Sequence, residues 1–473
     1  MIKHTNQADV EPAVPSLIDS SVAPGAHSRR QFLQMSGAGL AGLLLAACTA
    51  PVTQPSSGES SETSAEAVTL TVLNANWGEL YNGLMEKIGQ DYTAANPNVT
   101  VEWTFEGEWK TKLLTLVAGG TPPDAAYTNW TAQANLAEKN TFTPLDSYVE
   151  ATGLKREDFV ISMYDASVWD GKLYAIPGGA DYITLFWNKD VYRDAGLDPE
   201  APPATGDEWI EQSKAILQKD DDGNITRIGY IPNADQFITW AYLNGGEFYD
   251  AENHKVTANH ETNVQVLEWL LDYVKLLDVN KLAAFTSNYP SYSQPGNPFS
   301  TKQSAYLVTG FWAYDALDQF APDIDYAITF QPTPTGAEAE RANYLIQGWM
   351  YTIPAGAKNL DAAWSFIKYA FIDEAAKMGY LTLNGPCVKS SFKDFEDGLR
   401  AQIGENDRIS PYLDVFTKTG EAGTKHWPNM SVNGFYYDEV TRIWDFVARG
   451  EKTPQEALDE VTATVQAELD KAG

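Results

Sequence analysis

Segments with the periodicity of β-strands alternate with segments of helical periodicity from residue 68 onward. In the first part of this region the strand-like segments are 69–77, 99–107 and 123–130. Helical segments follow each of them, at 79–96, at 108–120 and in a short stretch that ends at Asn140. Apolar residues in the helical segments recur three or four positions apart. Because strands separated by helices pair in parallel, the pattern predicts a layered α/β domain.

A second series of strand and helix segments follows residue 170 and extends to the end of the chain. It begins with a turn, an apolar strand and a helix within 171–197. Further strands are predicted at 306–312, 325–330 and 343–356, and helices at 207–218, 360–381 and 453–472. The full length of 473 residues is enough for two or three domains. We therefore expect a second α/β unit behind the first.

Polar and aromatic residues stand where the first three predicted strands end. The pairs are Asn76-Trp77, Glu106-Gly107 and Asn129-Trp130. Ligands of open α/β sheets bind beyond the C-terminal ends of the strands. The sequence therefore places a candidate ligand site at this edge of the first sheet.

Residues 28–48, SRRQFLQMSGAGLAGLLLAAC, have the features of an export signal. Arg29 and Arg30 are the paired arginines of a twin-arginine signal. The apolar run behind them, 37–47, contains three glycines and is shorter than the roughly 20 residues of a membrane-spanning helix, which disfavours an anchor helix. The run ends in Leu-Ala-Ala-Cys48, which resembles a bacterial lipobox with Cys48 as the lipidated residue. We expect removal of 1–47 and a flexible tether over 48–67, which is rich in Ser, Thr, Pro and Glu.

Charge and metal-binding side chains exclude several classes of function. The net charge of −31 argues against binding to nucleic acid or to anionic lipid, since both need clustered Lys and Arg. With Cys48 lipidated, Cys387 has no disulfide partner, and we expect it to be buried. The five histidines lack zinc-site spacing. The run KDDDGN (219–224) begins like a calcium loop, but Ile225 and Ile231 stand where such a loop has its glycine and its glutamate. We therefore predict no metal and no cofactor.

Short motifs that span most of 68–473 resemble those of the extracellular solute-binding proteins of ABC importers, in the carbohydrate-binding group that includes maltose-binding protein. The motifs are ANPNVTVEW (95–103), GGTPPD (119–124), GKLYAIP (171–177), WNKD (187–190), AGL (195–197), PPATGDEW (202–209), GG (245–246) and KQSAYLVTGFW (302–312). Gly206 stands where the family usually has Trp, and a glycine usual near Gln303 is absent. Because the motifs follow the family order, the chain is identified as a member of this family.

The resemblance implies an α/β periplasmic-binding-protein fold, close to type II, in which crossing strands join two lobes around a ligand cleft. Lobe one would comprise 68–182 and 343–395, and lobe two 183–342 and 396–473. The family does not catalyse reactions. Its members capture a carbohydrate, either a mono- or an oligosaccharide, by lobe closure and deliver it to an ABC permease. We expect a monomer outside the cytoplasmic membrane, held to its outer face only by the lipid anchor and without a nucleic-acid partner.

Two other functions stay open at this point. An exported carbohydrate-active enzyme would need two carboxylates at a fixed separation across the glycosidic bond, and no motif marks such a pair. A non-sugar solute is the other alternative: a polyol phosphate, which would need Arg or Lys in the cleft, or a quaternary amine held in an aromatic cage.

A carbohydrate site combines aromatic rings, which cover the flat C–H faces of a sugar, with carboxylate and amide groups for its hydroxyls. The predicted aromatic ligand residues are Trp77, Trp130, Trp240, Trp312 and Trp349. The predicted polar ligand residues are Asn76, Glu106, Asn129 and Asp181, with Glu79 and Asn384 as further candidates. The family resemblance singles out Trp312, in its G-x-W motif, and Trp240, shortly before Gly245-Gly246.

Overall fold

The predicted strands and helices are arranged around two separate β-sheets. The computed structural model describes residues 67–287, 289–290, 294–404 and 408–472. The predicted export signal, with Arg29, Arg30 and Cys48, and the predicted tether up to residue 66 lie outside the described residues. No helix in the described ranges has the length and apolar character needed to cross a bilayer.

The strands are β1 Val68–Ala75, β2 Val99–Glu106, β3 Ala125–Asn129, β4 Val168–Trp169, β5 Lys172–Leu173, β6 Ile176–Asp181, β7 Thr184–Asn188, β8 Gln218–Lys219, β9 Ile225–Arg227, β10 Tyr249–Asp250, β11 Lys255–Val256, β12 Tyr306–Thr309, β13 Tyr326–Thr329 and β14 Gln347–Thr352. The helices are α1 Glu79–Ala95, α2 Trp109–Ala118, α3 Gln133–Glu138, α4 Asp146–Glu150, α5 Ile161–Ala166, α6 Lys189–Asp194, α7 Gly206–Ile216, α8 Ala234–Leu243, α9 Glu261–Leu277, α10 Val279–Thr286, α11 Ala313–Phe320, α12 Leu360–Lys368, α13 Ala375–Thr382, α14 Phe392–Ile403, α15 Leu413–Ala422, α16 Asn433–Ala448 and α17 Pro454–Ala472.

The first sheet has five strands in the order β2-β1-β3-β14-β6. β1 pairs in parallel with β2 and β3, which confirms the pairing predicted for the first three strands. β14 lies between β3 and β6 and is antiparallel to both. Val72 of β1 and Ile88 of α1 are buried in the core below this sheet, because their apolar spacing turns one face of each element inward. The C-terminal ends of β1 and β3 consequently lie at one edge.

The second sheet has three strands in the order β12-β7-β13, and both pairings are antiparallel. Its core is rich in aromatic side chains, among them Phe186 of β7 and Tyr326 of β13, whose rings stack at 5.9 Å. Helix α7, packed in the same core through Trp209, begins with a capping box between Thr205 and Glu208. The two sheets with their flanking helices give the α/β architecture expected from the sequence.

The chain crosses from the first sheet to the second over only two residues. Asp181 ends β6, Tyr182 and Ile183 follow, and β7 begins at Thr184. The Tyr182 ring is buried, and its hydroxyl donates to the carbonyl of Pro386 at 2.6 Å. The chain returns to the first sheet between β13 and β14. The third boundary expected from the resemblance, at 395/396, falls within the residues of α14, and the division into lobes stays a prediction.

The described part of the chain contains one cysteine, Cys387, and it is buried with 1% of its surface exposed. Burial in these apolar surroundings holds the pKa of its thiol well above the usual value. The thiol therefore stays protonated near neutral pH.

Candidate functional site

An aromatic cavity of about 390 Å³ lies at the edge of the first sheet. This volume is within the range of small-molecule sites, roughly 300–1,000 Å³. Its wall includes these residues predicted from the sequence as ligand contacts: Trp77, Asn129, Trp130, Asp181, Trp312 and Trp349. Asn384, a further sequence candidate, lines it as well. The fold thus brings together residues that lie far apart in the chain, and their role in binding stays a prediction.

The sheet register positions the polar and aromatic groups side by side. Asn129 at the end of β3 stands opposite Trp349 on β14, and Asp181 at the end of β6 stands opposite Gln347 on the same strand. Trp77, which follows β1, packs its ring 5.3 Å from that of Trp349 with the two planes tilted by 55°. β14 therefore links the ends of β1, β3 and β6 into one wall.

Glycines allow two of the tryptophan rings to lie directly on the backbone. A Cβ atom built on Gly178 would stand 2.2 Å from Cζ3 of Trp349, and one on Gly179 would stand 2.5 Å from Cε2 of the same ring. On Gly310 a Cβ atom would stand 2.1 Å from Cζ3 of Trp312. Side-chain carbons do not approach this closely, so these positions require glycine for the rings to keep their places.

Trp130 is held by the segment before and at the start of α16. Its ring meets the ring of Tyr437 edge-on at 4.9 Å and lies 6.3 Å from that of Trp427. Its carbonyl accepts from Nδ2 of Asn433 at 2.9 Å. These contacts join a residue that follows β3 to a segment some 300 positions later in the chain. The orientation of Trp130 therefore depends on the packing of both parts of the chain.

Asp181 is the charged residue among the described residues that line the cavity. Its Oδ1 accepts from Nδ2 of Asn384 at 3.1 Å. Burial raises the pKa of its carboxyl group from 3.8 to about 7, because the charged form is solvated less well here than in open water. The cavity consequently contains a carboxyl group that changes charge near neutral pH.

Three of the predicted ligand residues lie elsewhere. Trp240 has 3% of its surface exposed and stacks on Trp209 with ring centroids 5.5 Å apart, because the apolar face of α8 points into the second core. The Asn76 side chain accepts from the backbone N–H of Gly78 at 3.0 Å and does not line the cavity. Glu106 likewise lies off the wall and pairs with Lys112 at 3.4 Å.

Four further residues that were not predicted from the sequence as ligand contacts also line the cavity. They are Tyr81, Tyr127, Gly348 and Thr382. Tyr127 had a local signal, since it lies two positions before Asn129 on β3 and therefore points to the same face. The ring of Tyr127 meets that of Trp77 edge-on at 5.3 Å. Tyr81 in the first turn of α1 had no comparable signal.

A larger cavity of about 910 Å³ lies elsewhere and contains none of the predicted ligand residues. Some of its polar groups already have partners: Nε of Arg156 donates to Oδ1 of Asp165 at 2.6 Å, and Asp146 accepts from the backbone N–H of Leu173 at 3.1 Å. His426 lines it too, and burial lowers the pKa of that imidazole. Because the predicted ligand residues line the smaller aromatic cavity and not the larger one, the smaller cavity is the better candidate.

Within the described ranges, no group of three or more His, Cys, Asp and Glu residues is arranged to hold a metal ion. The run 219–224 forms a turn between β8 and β9 in which Asp220 accepts from the backbone N–H of Asn224 at 2.7 Å. That carboxylate is occupied within its own turn.

The model of the family described as bacterial extracellular solute-binding protein matches residues 74–377. The chain is 23% identical over 386 residues to the arabinooligosaccharide-binding protein of Halalkalibacterium halodurans, with 78% of this chain and 82% of the relative covered. A solved structure of CpMnBP1 with mannobiose bound shares 24% identity, covers 84% of this chain and 99% of its own, and gives a TM-score of 0.69. A second solved structure is the ABC substrate-binding protein Lmo0181 from Listeria monocytogenes in complex with cycloalternan. It shares 21% identity, covers 86% of this chain and 100% of its own, and gives a TM-score of 0.70.

At these identities the two solved structures establish the fold. Nearly the whole length of each of these two proteins aligns with this chain, so the likeness extends over their two-lobed architecture. The α/β periplasmic-binding-protein fold predicted from the sequence is thereby confirmed.

Proposed function

Since the chain belongs to the family of bacterial extracellular solute-binding proteins, we propose that it captures a carbohydrate in the aromatic cavity and delivers it to an ABC permease. The relative and the solved structures named above bind arabinooligosaccharides, mannobiose and cycloalternan, as their names state. All three ligands are saccharides. The ligand proposed for this chain is a mono- or oligosaccharide.

The observation that carries the proposal is the composition of the cavity wall. Four tryptophans, Trp77, Trp130, Trp312 and Trp349, offer flat apolar surfaces. Asn129, Asp181, Thr382 and Asn384 supply donors and acceptors beside them. Such a combination suits a sugar ring, which is apolar on its C–H faces and polar around its rim.

Capture would proceed by closure of the two proposed lobes. In the division expected from the sequence, Trp312 belongs to lobe two, whereas Trp77, Trp130 and Trp349 belong to lobe one. A ligand that contacts both sets of rings stabilises the closed form over the open one, because only the closed form provides both surfaces. The permease would then recognise the closed form.

The wall of the cavity also argues against glycoside hydrolysis. That reaction uses two carboxyl groups, about 5–5.5 Å apart in retaining enzymes and roughly 6.5–9.5 Å apart in inverting ones. Among the described residues, the aromatic cavity is lined by a single carboxyl group, that of Asp181. We propose a binding protein without catalytic activity.

We further propose that the mature protein begins at a lipidated Cys48 and works outside the cytoplasmic membrane as a monomer. The twin arginines, the short apolar run and the lipobox-like end of that run support this. Cys48→Ser is expected to abolish incorporation of a labelled fatty acid, and Arg29→Lys with Arg30→Lys to block export. Undiminished label on the Cys48→Ser protein would refute the lipid anchor.

Trp312→Ala is expected to weaken saccharide binding by about 2 kcal/mol, roughly thirtyfold in Kd, because it removes the tryptophan surface contributed by the proposed second lobe. A thermal-shift screen of mono- and oligosaccharides on the unmodified chain identifies the ligand, since a ligand that binds the folded form raises Tm by mass action. Isothermal titration of that ligand then compares the two proteins.

Trp169→Ala is the matched control for this measurement. Trp169 is also a partly buried tryptophan, but it lines the larger cavity. Its removal should leave the Kd unchanged. If both variants lose the same affinity for the saccharide, or if Trp312→Ala loses none, the aromatic cavity is not the binding site. Failure of every saccharide to raise Tm would refute the carbohydrate proposal itself.

A further inference from the structure

The aromatic cavity carries one kind of charge. Asp181 is its charged side chain, and no Lys, Arg or His is found among the described residues that line it. The remaining wall is made of tryptophan and tyrosine rings, Asn129, Asn384, Thr382 and the backbone of Gly348. An isolated carboxyl group can accept hydrogen bonds from sugar hydroxyls, and it can in addition pair with a cation that the ligand brings.

We propose that the saccharide captured here is an amino sugar, whose protonated amine pairs with the carboxylate of Asp181. The inference rests on the proposed function, since it assumes a carbohydrate ligand in this cavity. It adds the charge of the ligand and names Asp181 as the residue that selects for it.

Among the described residues that line the cavity, none supplies a counter-charge to Asp181. The hydrogen bond that Oδ1 of Asp181 accepts comes from the neutral amide of Asn384, at 3.1 Å. In the described ranges, Asp181 takes part in none of the ion pairs between side chains. Asp181 is partly buried, and burying a carboxylate without a cation is unfavourable. A ligand that brings the cation offsets this term when it binds.

The groups that face Asp181 from the neighbouring elements cannot supply that cation. Burial, and to a smaller extent the negative charge of Asp181, raises the pKa of Tyr127 on β3 and of Cys387 after α13, so both stay protonated and neutral near pH 7. Gln347, opposite on β14, and Asn384 are uncharged. The carboxylate is therefore left for a partner that comes from outside the chain.

The aromatic wall of the cavity also favours a cationic ligand. Aromatic faces attract cations, and the attraction grows when water is excluded. The rings of Trp77 and Trp349, 5.3 Å apart, lie in the same cavity as Asp181. An ammonium group held by the carboxylate thus gains from the surrounding rings, while the sugar ring keeps its apolar contact with the tryptophans. The same carboxylate repels uronic acids and sugar phosphates, and no cationic side chain among the described lining residues offsets that repulsion.

The test compares ligands of one ring structure that differ in charge. Isothermal titration of the whole chain at about pH 7 uses glucosamine, N-acetylglucosamine, glucose and glucuronate, and the β-1,4-linked dimers of the first three. We expect the amine to bind at least about tenfold more tightly than its acetylated or hydroxyl counterpart, and glucuronate to show no binding. Asp181→Asn should reduce the preference for the amine to less than about threefold.

The outcomes separate this inference from the function on which it rests. Equal or tighter binding of the neutral sugars, or a preference for the amine that persists in Asp181→Asn, overturns the amino-sugar inference and leaves carbohydrate capture in place. Binding of choline, included as a cation without a sugar ring, with no binding of any saccharide, overturns both. The comparison of ligands on the unmodified chain is by itself enough to test the amino-sugar inference. The test therefore does not depend on whether the Asp181→Asn variant folds.

Discussion

The Asp181→Asn variant is expected to lose a dependence of stability on pH that the unmodified chain shows between about pH 4 and pH 7. Folding raises the pKa of this carboxyl from 3.8 to about 7, so the folded state retains a proton that the unfolded chain releases. The contribution to stability is complete below pH 3.8 and is lost as the pH rises through about 7. The change in the free energy of unfolding is up to roughly 4 kcal/mol. Asparagine has the same shape and no charge, so the variant should be the more stable protein above pH 7.

Urea unfolding of the ligand-free protein at a series of pH values measures this difference directly. Glu102→Gln is the matched control, because it removes an exposed carboxyl group from β2, in the same sheet. In this control the free energy of unfolding should change with pH as it does in the unmodified chain. An Asp181→Asn protein with the same slope between pH 4 and pH 7 would show that Asp181 is ionised in the folded state, contrary to the environment described here.

Gly178→Ala is expected to destabilise the protein by about 1–3 kcal/mol and to abolish ligand binding, because its new methyl group would stand 2.2 Å from the ring of Trp349. Either the ring leaves the wall of the cavity or β6 separates from β14. Both changes disrupt the surface that Trp349 shares with Trp77. The Tm of the variant and its titration with the ligand from the screen measure the two effects.

Gly83→Ala provides the control for this substitution. Gly83 lies in α1, is exposed, and a Cβ atom built there meets nothing within 4 Å. Alanine in a helix is about 0.5–1 kcal/mol more favourable than glycine, so this variant should be slightly stabilised and should bind normally. A Gly178→Ala protein with unchanged Tm and affinity would mean that the Trp349 ring moves aside freely and is not a fixed part of the site.

Part of the candidate site could be predicted because parallel strands end at a common edge. The identification of Asn129, Trp130 and Trp77 required only the ends of β1 and β3 and the rule that ligands bind there. Glu106, at the end of β2, met the same criterion, but β2 is the outermost strand and its side chain pairs with Lys112. The rule identified the edge of the sheet at which the aromatic cavity lies, and it could not say which strands border that cavity.

Other members of the site depend on long-range pairing that leaves no local mark in the sequence. β14 inserts between β3 and β6, which places Trp349 beside Asn129 across more than 200 residues of chain. The two-lobed fold came from the family resemblance, because periodicity alone predicts strands and helices without their order in a sheet. Trp240 illustrates the opposite problem: its position near Gly245-Gly246 suggested the cleft, whereas the apolar spacing of Phe237, Trp240 and Ala241 places that face of α8 in the core.

The single buried cysteine of the described region has a practical consequence for measuring ligand capture. Thiol-reactive dyes attack the exposed thiolate, and the Cys387 thiol is neither exposed nor ionised near neutral pH. A cysteine introduced at an exposed position beside the cavity would therefore be the preferred point of labelling in a chain that starts after residue 48. One environment-sensitive fluorophore there would convert the protein into an optical sensor for its own ligand, without first removing a native cysteine.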